Sequence, residues 1–252
     1  MADTDSEFLE RYSRQIKLPL VGLEGQKALR DASVLIVGMG GLGSPVAMYL
    51  AAAGVGHLSI ADFDIVDESN LQRQIAHGHS DIGSLKTESA ARTLRAINPA
   101  IKINCLDYTL ESEELGQLAS AHHLIVDCTD NFPTRFQLNT ASLQSRTPLV
   151  SGAAIRWEGQ VTAFDPNQEN SPCYQCLYQN PDVEAASCAA EGVISPLVGV
   201  IGTMQALEAV NILLGRGQLH GAMWLFDAQF MEWQKMTIPK NPRCPACGTG
   251  PA

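Results

Sequence analysis

The sequence predicts an α/β fold: a Rossmann-like, mostly parallel sheet with helices on both faces, extended by antiparallel strands and a C-terminal zinc site. Three observations carry this expectation. Strand and helix patterns alternate strictly over about 120 residues, the arrangement that builds a parallel sheet covered on both faces. The first strand runs straight into a glycine-rich turn that opens a helix. Beyond residue 151 the pattern changes to strands flanked by two C-x-x-C pairs.

Residues 1–30 read as an N-terminal helical segment carrying Phe8, Leu9 and Tyr12. Ser33–Val37 is a short β-branched run that ends in glycines, residues 42–53 form an Ala-rich helix stopped by Gly54, and His57–Ala61 is the next strand. Leu85, Ala90, Ala91, Leu94 and Ile97 fall near helical spacing, and Pro99 closes that helix before a strand at 101–106. A helix at 111–119, a strand at 124–126, a helix at 135–143 and a strand at 148–150 complete the alternation. Residues 160–164 and 224–226 read as antiparallel additions, with a cysteine-bearing loop and an apolar helix at 196–214 between them. Residues 179–191 are polar or small with little periodicity, so a mobile loop is expected there.

With 252 residues, 45% of them apolar and 17% charged, the chain is a folded globule and neither disordered nor a coiled coil. A net charge of -10 has the wrong sign for nucleic acid or anionic lipid as the main partner, so any phosphate site must be local. The acidic N-terminus lacks the basic start and apolar core of a secretory signal, and a cytoplasmic location is expected. Two uncharged runs invite comparison with membrane spans. The first, at 34–60, is broken by glycines, a proline and a histidine, and the second, at 192–207, is shorter than the ~20 residues a span requires. Both read as buried soluble elements. Seven cysteines without a signal peptide point to metal or chemistry rather than to a disulfide framework.

Gly38, Gly40, Gly41 and Gly43 sit where strand turns into helix. Glycines let the backbone approach a phosphate, and the helix N-terminus offers unpaired amides. Asp62, at the end of the next strand, is placed to accept ribose hydroxyls. Alone this motif denotes an adenine nucleotide, with a dehydrogenase as the usual default. Asp64, Ser69, Asn70, Arg73 and Lys86 then follow, and two cations with an Asn suit a triphosphate better than a dinucleotide's diphosphate. Individually Arg73 and Lys86 read equally well as a solvated face. Asp130 lies just past another strand's carboxyl end, either holding Mg²⁺ between phosphate oxygens or capping the helix that begins near Pro133.

Cys173-x-x-Cys176 and Cys244-x-x-Cys247 are separated by 67 residues, and four thiolates at this spacing suit a closed tetrahedral Zn²⁺ site. Paired redox disulfides are the alternative, although neither pair follows the strand-to-helix context of a thioredoxin-like site. Cys105 and Cys128 fall in or beside apolar runs and read as inert core residues, whereas Cys188 lies in the polar loop as either a reachable thiol or an incidental one. The six histidines show no ligand spacing beyond His77-Gly-His79, and none is assigned a function.

Arg11-Tyr-Ser-Arg14-Gln-Ile, Gly38-Met-Gly-Gly-Leu-Gly43, Asp62-Phe-Asp64, Ser69-Asn-Leu-Gln-Arg-Gln74, Lys86, Asp127-Cys-Thr-Asp130-Asn, Ser151-Gly-Ala-Ala and the two C-x-x-C pairs occur in that order. The set resembles the MoeB/ThiF-type adenylyltransferases of the ubiquitin-activating-enzyme superfamily over essentially the whole chain. The resemblance implies ATP-dependent adenylation of the C-terminal Gly-Gly carboxylate of a ubiquitin-like sulfur-carrier protein, with release of pyrophosphate. It implies that Gly41 and Asp62 hold the nucleotide, Asn70, Arg73 and Lys86 bind phosphates, Asp130 binds Mg²⁺, and Arg14 reaches in from the other subunit of a homodimer. Cys188 matches a cysteine that such enzymes can link to the carrier. The stretch from Ser151 to Gln160 and the Arg11-Tyr-Ser-Arg14 start are most like the MoeB branch, whose MoaD-like carrier serves molybdopterin synthesis. The ThiF branch, acting on the thiazole carrier ThiS, is the alternative. A dehydrogenase with a structural zinc, or a scaffold that holds nucleotide without catalysis, would leave Arg14, Arg73 and Lys86 without a task. One adenylation domain is expected over 1–252: the helical segment 1–30, a nucleotide-binding half at 31–151, and a carrier-binding and zinc-binding half at 152–252. The chain ends soon after the second cysteine pair, so sulfur is expected from a separate donor such as a cysteine desulfurase or a rhodanese.

Overall fold

A computed structural model of the protein describes residues 2–178 and 191–248. Eight strands form one sheet in the order β3-β2-β1-β4-β5-β6-β7-β8. The first five are β1 (Ser33–Val37), β2 (His57–Ala61), β3 (Lys102–Leu106), β4 (Leu124–Asp127) and β5 (Leu149–Ile155), and they pair in parallel. Antiparallel pairing then adds β6 (Glu158–Phe164), β7 (Ala222–Asp227) and β8 (Glu232–Thr237). All five residues of β1 are buried because it runs through the middle of the sheet, which is why it reads as a continuous apolar run rather than an alternating one.

Side-chain alternation along the strands divides the core into two layers. Val34, Ile36, Leu58, Ile60 and Val126 face α4 (Gly43–Ala53), α5 (Lys86–Ile97) and the long helix Ser195–Leu213. Leu35, Val37, Ile125 and Leu149 face α6 (Ser112–Ala121) and α7 (Phe132–Ser145), with Phe164 and Tyr174 closing that side. Gly54 ends α4 in the left-handed region, at φ 89°. The long helix is apolar enough to cross a membrane by length and composition, with a mean hydropathy of 1.4. It packs on α4, β5 and β6, burying Leu197, Val198, Ile201, Ala206 and Ala209. Its close approach to the start of α4 depends on Gly202, where a Cβ would lie 2.5 Å from the Leu42 carbonyl oxygen.

Helices α1 (Ala2–Arg11), α2 (Ser13–Ile16) and α3 (Gly22–Asp31) occupy the N-terminal segment. They dock where α4 and α5 end. The Arg11 guanidinium donates to the Ile97 carbonyl (3.1 Å), Gln15 to that of Ala53 (3.0 Å), and the buried Tyr12 hydroxyl accepts from Asn98 (2.8 Å). In a parallel α/β layer the helices run back against the strands, so this is the sheet edge opposite the glycine turn.

Two departures from the sequence reading have physical causes. Strand β8 was not anticipated because all six of its residues are exposed, and an edge strand without a buried face carries no apolar alternation. Strand β5 runs beyond 150 to Ile155 because antiparallel pairing with β6 holds the small residues Ser151, Gly152, Ala153 and Ala154 in register.

Candidate active site

The glycine turn lies at the carboxyl end of β1, between β2 and β4, where the strand order reverses and such sheets bind ligands. Two of its glycines are required by the chain itself. Gly38 has φ 94°, and a Cβ there would lie 2.7 Å from the Cys128 carbonyl oxygen; a Cβ on Gly43 would lie 1.9 Å from that of Gly38. Gly41 abuts Val198 at 3.0 Å from its ideal Cβ, whereas the nearest atom to one on Gly40 is the Gln74 amide nitrogen at 3.7 Å. Gly40 and Gly41 both line a cavity of about 580 Å³, a volume in the range of small-molecule sites.

Asp62 sits behind this turn. One carboxylate oxygen accepts from the Met39 N–H (2.7 Å) and the other from that of Asp64 (2.9 Å). Burial pushes its pKa up, and the Lys86 charge and the two N–H bonds recover only part of that shift. The buried Lys86 donates to Asp64 at 2.7 Å and lies 4.0 Å from Asp62. Arg73 also lines the cavity, its guanidinium donating to the Ser69 carbonyl at 3.0 Å. Ser69 and Asn70 do not line it. They form the turn that carries Arg73, where the Asn70 carbonyl oxygen of the side chain accepts from the Asp67 N–H (3.3 Å).

Asp130 stands exposed on the rim of the cavity. The helix-capping alternative falls to its neighbour: Asn131 caps α7 by accepting from the Thr134 N–H at 3.0 Å. A buried network beneath the rim fixes its course. Asp127 accepts from the Thr129 N–H (3.0 Å), the Thr129 hydroxyl (2.7 Å) and the Ser151 hydroxyl (2.7 Å). Arg135 lies 3.8 Å from the Asp127 carboxylate and donates to the Thr129 carbonyl (2.6 Å), while Gln205 of the long helix donates to the Asp127 carbonyl (2.7 Å). The sequence reading gave Arg135 and Gln205 no role. Their signal was a polar residue inside an apolar helical pattern, which is weak before the sheet brings Asp127 underneath.

From the glycine turn the cavity continues over β5, β6 and β7, lined by Ala153, Ala154, Glu158, Gln160 and Leu225, with Tyr178 alongside. The exposed Asp130 carboxylate, which lines the same cavity as Arg73 and Lys86, is an oxygen donor of the kind Mg²⁺ takes alongside phosphate.

Away from this cavity, Cys173, Cys176, Cys244 and Cys247 converge, their sulfurs all within 4.8 Å of one another. The separations of 3.7 Å (Cys173 to Cys244) and 3.4 Å (Cys176 to Cys247) are near the ~3.8 Å edge of a tetrahedron with ~2.3 Å Zn–S bonds, and far from a disulfide bond. Convergence of both pairs on one point is what a metal demands and separate redox disulfides do not. Burial pushes the Cys173 thiol up to about 11, and a bound cation would hold that sulfur ionised. Cys128 is buried and its thiol lies well above its usual pKa, in keeping with an inert core residue. Cys188 lies outside the described residues. Arg14 is exposed on α2, at the edge of the sheet away from the cavity, and does not line it.

The ThiF family model matches residues 12–246. The chain is 45% identical to the molybdopterin-synthase adenylyltransferase of Escherichia coli (strain K12), over 98% of this chain and all of that one. It is 43% identical to the sulfur carrier protein adenylyltransferase of Thermus thermophilus, covering 97% and 93% of the two chains. Among solved structures, E. coli MccB with MccA-N7isoASN superimposes with a TM-score of 0.82 at 21% identity, covering 94% of this chain and 75% of that one. At that identity the match speaks for the fold alone.

Proposed function

The chain belongs to the ThiF family, and from that premise we propose that it uses ATP to adenylate the C-terminal Gly-Gly carboxylate of a ubiquitin-like sulfur-carrier protein, MoaD-like and serving molybdopterin synthesis. The observation that carries this reading is one continuous cavity. It joins Gly40, Gly41, Arg73, Lys86 and Asp130 at one end to a trough over β5–β7 at the other, giving adjoining places for a triphosphate and an extended peptide tail.

A carboxylate oxygen of the carrier attacks the α-phosphorus, the bond to the bridging oxygen breaks, and pyrophosphate leaves with that electron pair. The product is an acyl-adenylate, primed for sulfur transfer. No general base is required, since the attacking carboxylate is ionised at neutral pH. Catalysis is therefore positioning and neutralisation of charge. The turn amides at Gly40 and Gly41 would approach the phosphates, Arg73 and Lys86 would supply positive charge with Asn70 shaping the turn that bears Arg73, and Asp62 orders the glycine turn while facing the ribose. Asp130 would hold Mg²⁺, which supplies further neutralisation of phosphate charge. Arg14 would act on the site of a second subunit. The four clustered cysteines would hold Zn²⁺ as a structural staple, Cys188 would act after adenylation, and a separate protein would donate sulfur. A thiolate zinc site suits a reducing compartment, and we place the protein in the cytoplasm.

ATP–pyrophosphate exchange tests the reading. Exchange should require Mg²⁺ and a carrier ending in Gly-Gly, and should vanish when the carrier's last glycine is deleted. Undiminished exchange with the shortened carrier would refute the carboxylate assignment.

A further inference from the structure

We propose that His77 is a positioning residue that sets the spacing of the three chain segments facing the ATP phosphates, an inference that rests on the nucleotide reading of the cavity. Its imidazole is 7% exposed and lies outside the cavity wall. Nε2 lies 3.0 Å from the Met39 carbonyl oxygen, and Nδ1 lies 2.9 Å from the Ser89 hydroxyl. A carbonyl only accepts, so Nε2 carries the proton and donates, and Nδ1 accepts from Ser89. A neutral ring satisfies both bonds. Burial holds the His77 pKa below its usual value, with Lys86 acting in the same direction and Asp62 and Asp81 opposing.

Each of these contacts belongs to a different part of the site. Met39 lies inside the glycine turn, and its N–H is already bound to Asp62, so Asp62 holds the peptide before Met39 and His77 holds the one after it. The Met39 carbonyl and the Gly40 N–H share one planar peptide, so the His77 bond fixes the direction of the Gly40 amide. Ser89 lies on α5 one turn beyond Lys86, the first residue of that helix. The backbone of His77 continues the turn that bears Arg73: its N–H donates to the Gln74 carbonyl (3.1 Å), and those of Gln74 and Arg73 to the Asn70 carbonyl (3.0 Å each). One ring thereby ties the glycine turn, the Arg73 turn and the Lys86 helix together. Phosphate binding needs all three in register, whereas adenosine binding needs none of the cations.

The test compares ATP with adenosine as ligands of the full chain, by calorimetry with Mg²⁺ for ATP and by ligand-observed NMR for adenosine. His77→Ala should weaken ATP about tenfold, as expected for a lost buried hydrogen bond, and leave adenosine within about twofold. His77→Gln, whose amide nitrogen can donate to the Met39 carbonyl, should recover most of the ATP affinity. An unchanged ATP affinity in folded His77→Ala, or equal loss of ATP and adenosine, overturns the role. If His77→Ala does not fold, Ser89→Ala decides by the same ratio: about threefold weaker ATP with adenosine unchanged supports it, and no change overturns it. Wild-type protein that fails to bind ATP rejects the nucleotide reading itself, and the inference with it.

Discussion

Asp130 and Asn131 are adjacent polar residues at the start of one helix, yet their geometry assigns them different work. Both line the cavity, but the Asn131 side chain satisfies the Thr134 N–H, while Asp130 is exposed at the rim. Asn131→Ala should therefore cost about 1 kcal/mol of stability, a fall of roughly 2–4 °C in Tm, with pyrophosphate exchange largely kept. Asp130→Ala should keep its Tm and lose about a hundredfold or more in exchange. Thermal melts and exchange assays on the two variants check this, and a reversed pattern would make Asp130 the cap. A second prediction at this scale concerns pH. Hydrogen bonds from Arg92 and the Gly78 N–H hold Asp81 down at about 2. A lowered folded-state pKa stabilises the fold at pH values above the ordinary aspartate value of 3.8, and the contribution is lost as pH falls from there through about 2. The urea midpoints of wild type and Asp81→Asn should thus differ more at about pH 6 than at about pH 3. An equal gap at both would sink this account.

At the scale of elements, the short helix α8 (Tyr174–Leu177) and the tail after β8 are each too small to hold their own shape, and the cysteine cluster is what joins them. Each C-x-x-C turn brings two sulfurs together, and the sheet brings the turns together. Metal analysis should find about one zinc per chain, and Cys244→Ser should lower Tm before it alters exchange. A metal-free preparation with the same Tm and activity would show that the cluster has no structural metal. Tyr174 also ties this region to the site wall, since its N–H donates to Asn139 of α7 (2.9 Å) and its ring packs on Phe136 and Phe164.

For the whole molecule, the position of the N-terminal helices decides what Arg14 can do. Tyr12 and Gln15, on either side of it, are fastened to the ends of α5 and α4, on the sheet edge away from the cavity. Within one chain Arg14 therefore lies away from the phosphates, and a role in adenylation requires a second subunit. Mixing inactive Arg14→Ala with inactive Asp130→Ala under subunit exchange tests this, because a mixed dimer has one site with both groups intact. Random pairing makes about half the dimers mixed and about half of their sites complete, so roughly a quarter of wild-type exchange should return. No recovery despite demonstrated mixing of folded variants would rule out donation in trans.

The sequence by itself determined the pattern of elements, which depends on neighbours two to four positions apart. The alternation of strands and helices, the glycine turn after β1, the stop at Gly54 and the pairing of thiols within each C-x-x-C unit are all local, because pleat, helical pitch and turn geometry act over that range. The tertiary structure alone decided which distant residues meet. It closed the 67-residue gap between the cysteine pairs and added β8 by pairing. It also set His77 between Met39 and Ser89, 38 and 12 residues away. Such meetings follow from strand order and from how closely the helices sit on the sheet, and no periodicity along the chain encodes them.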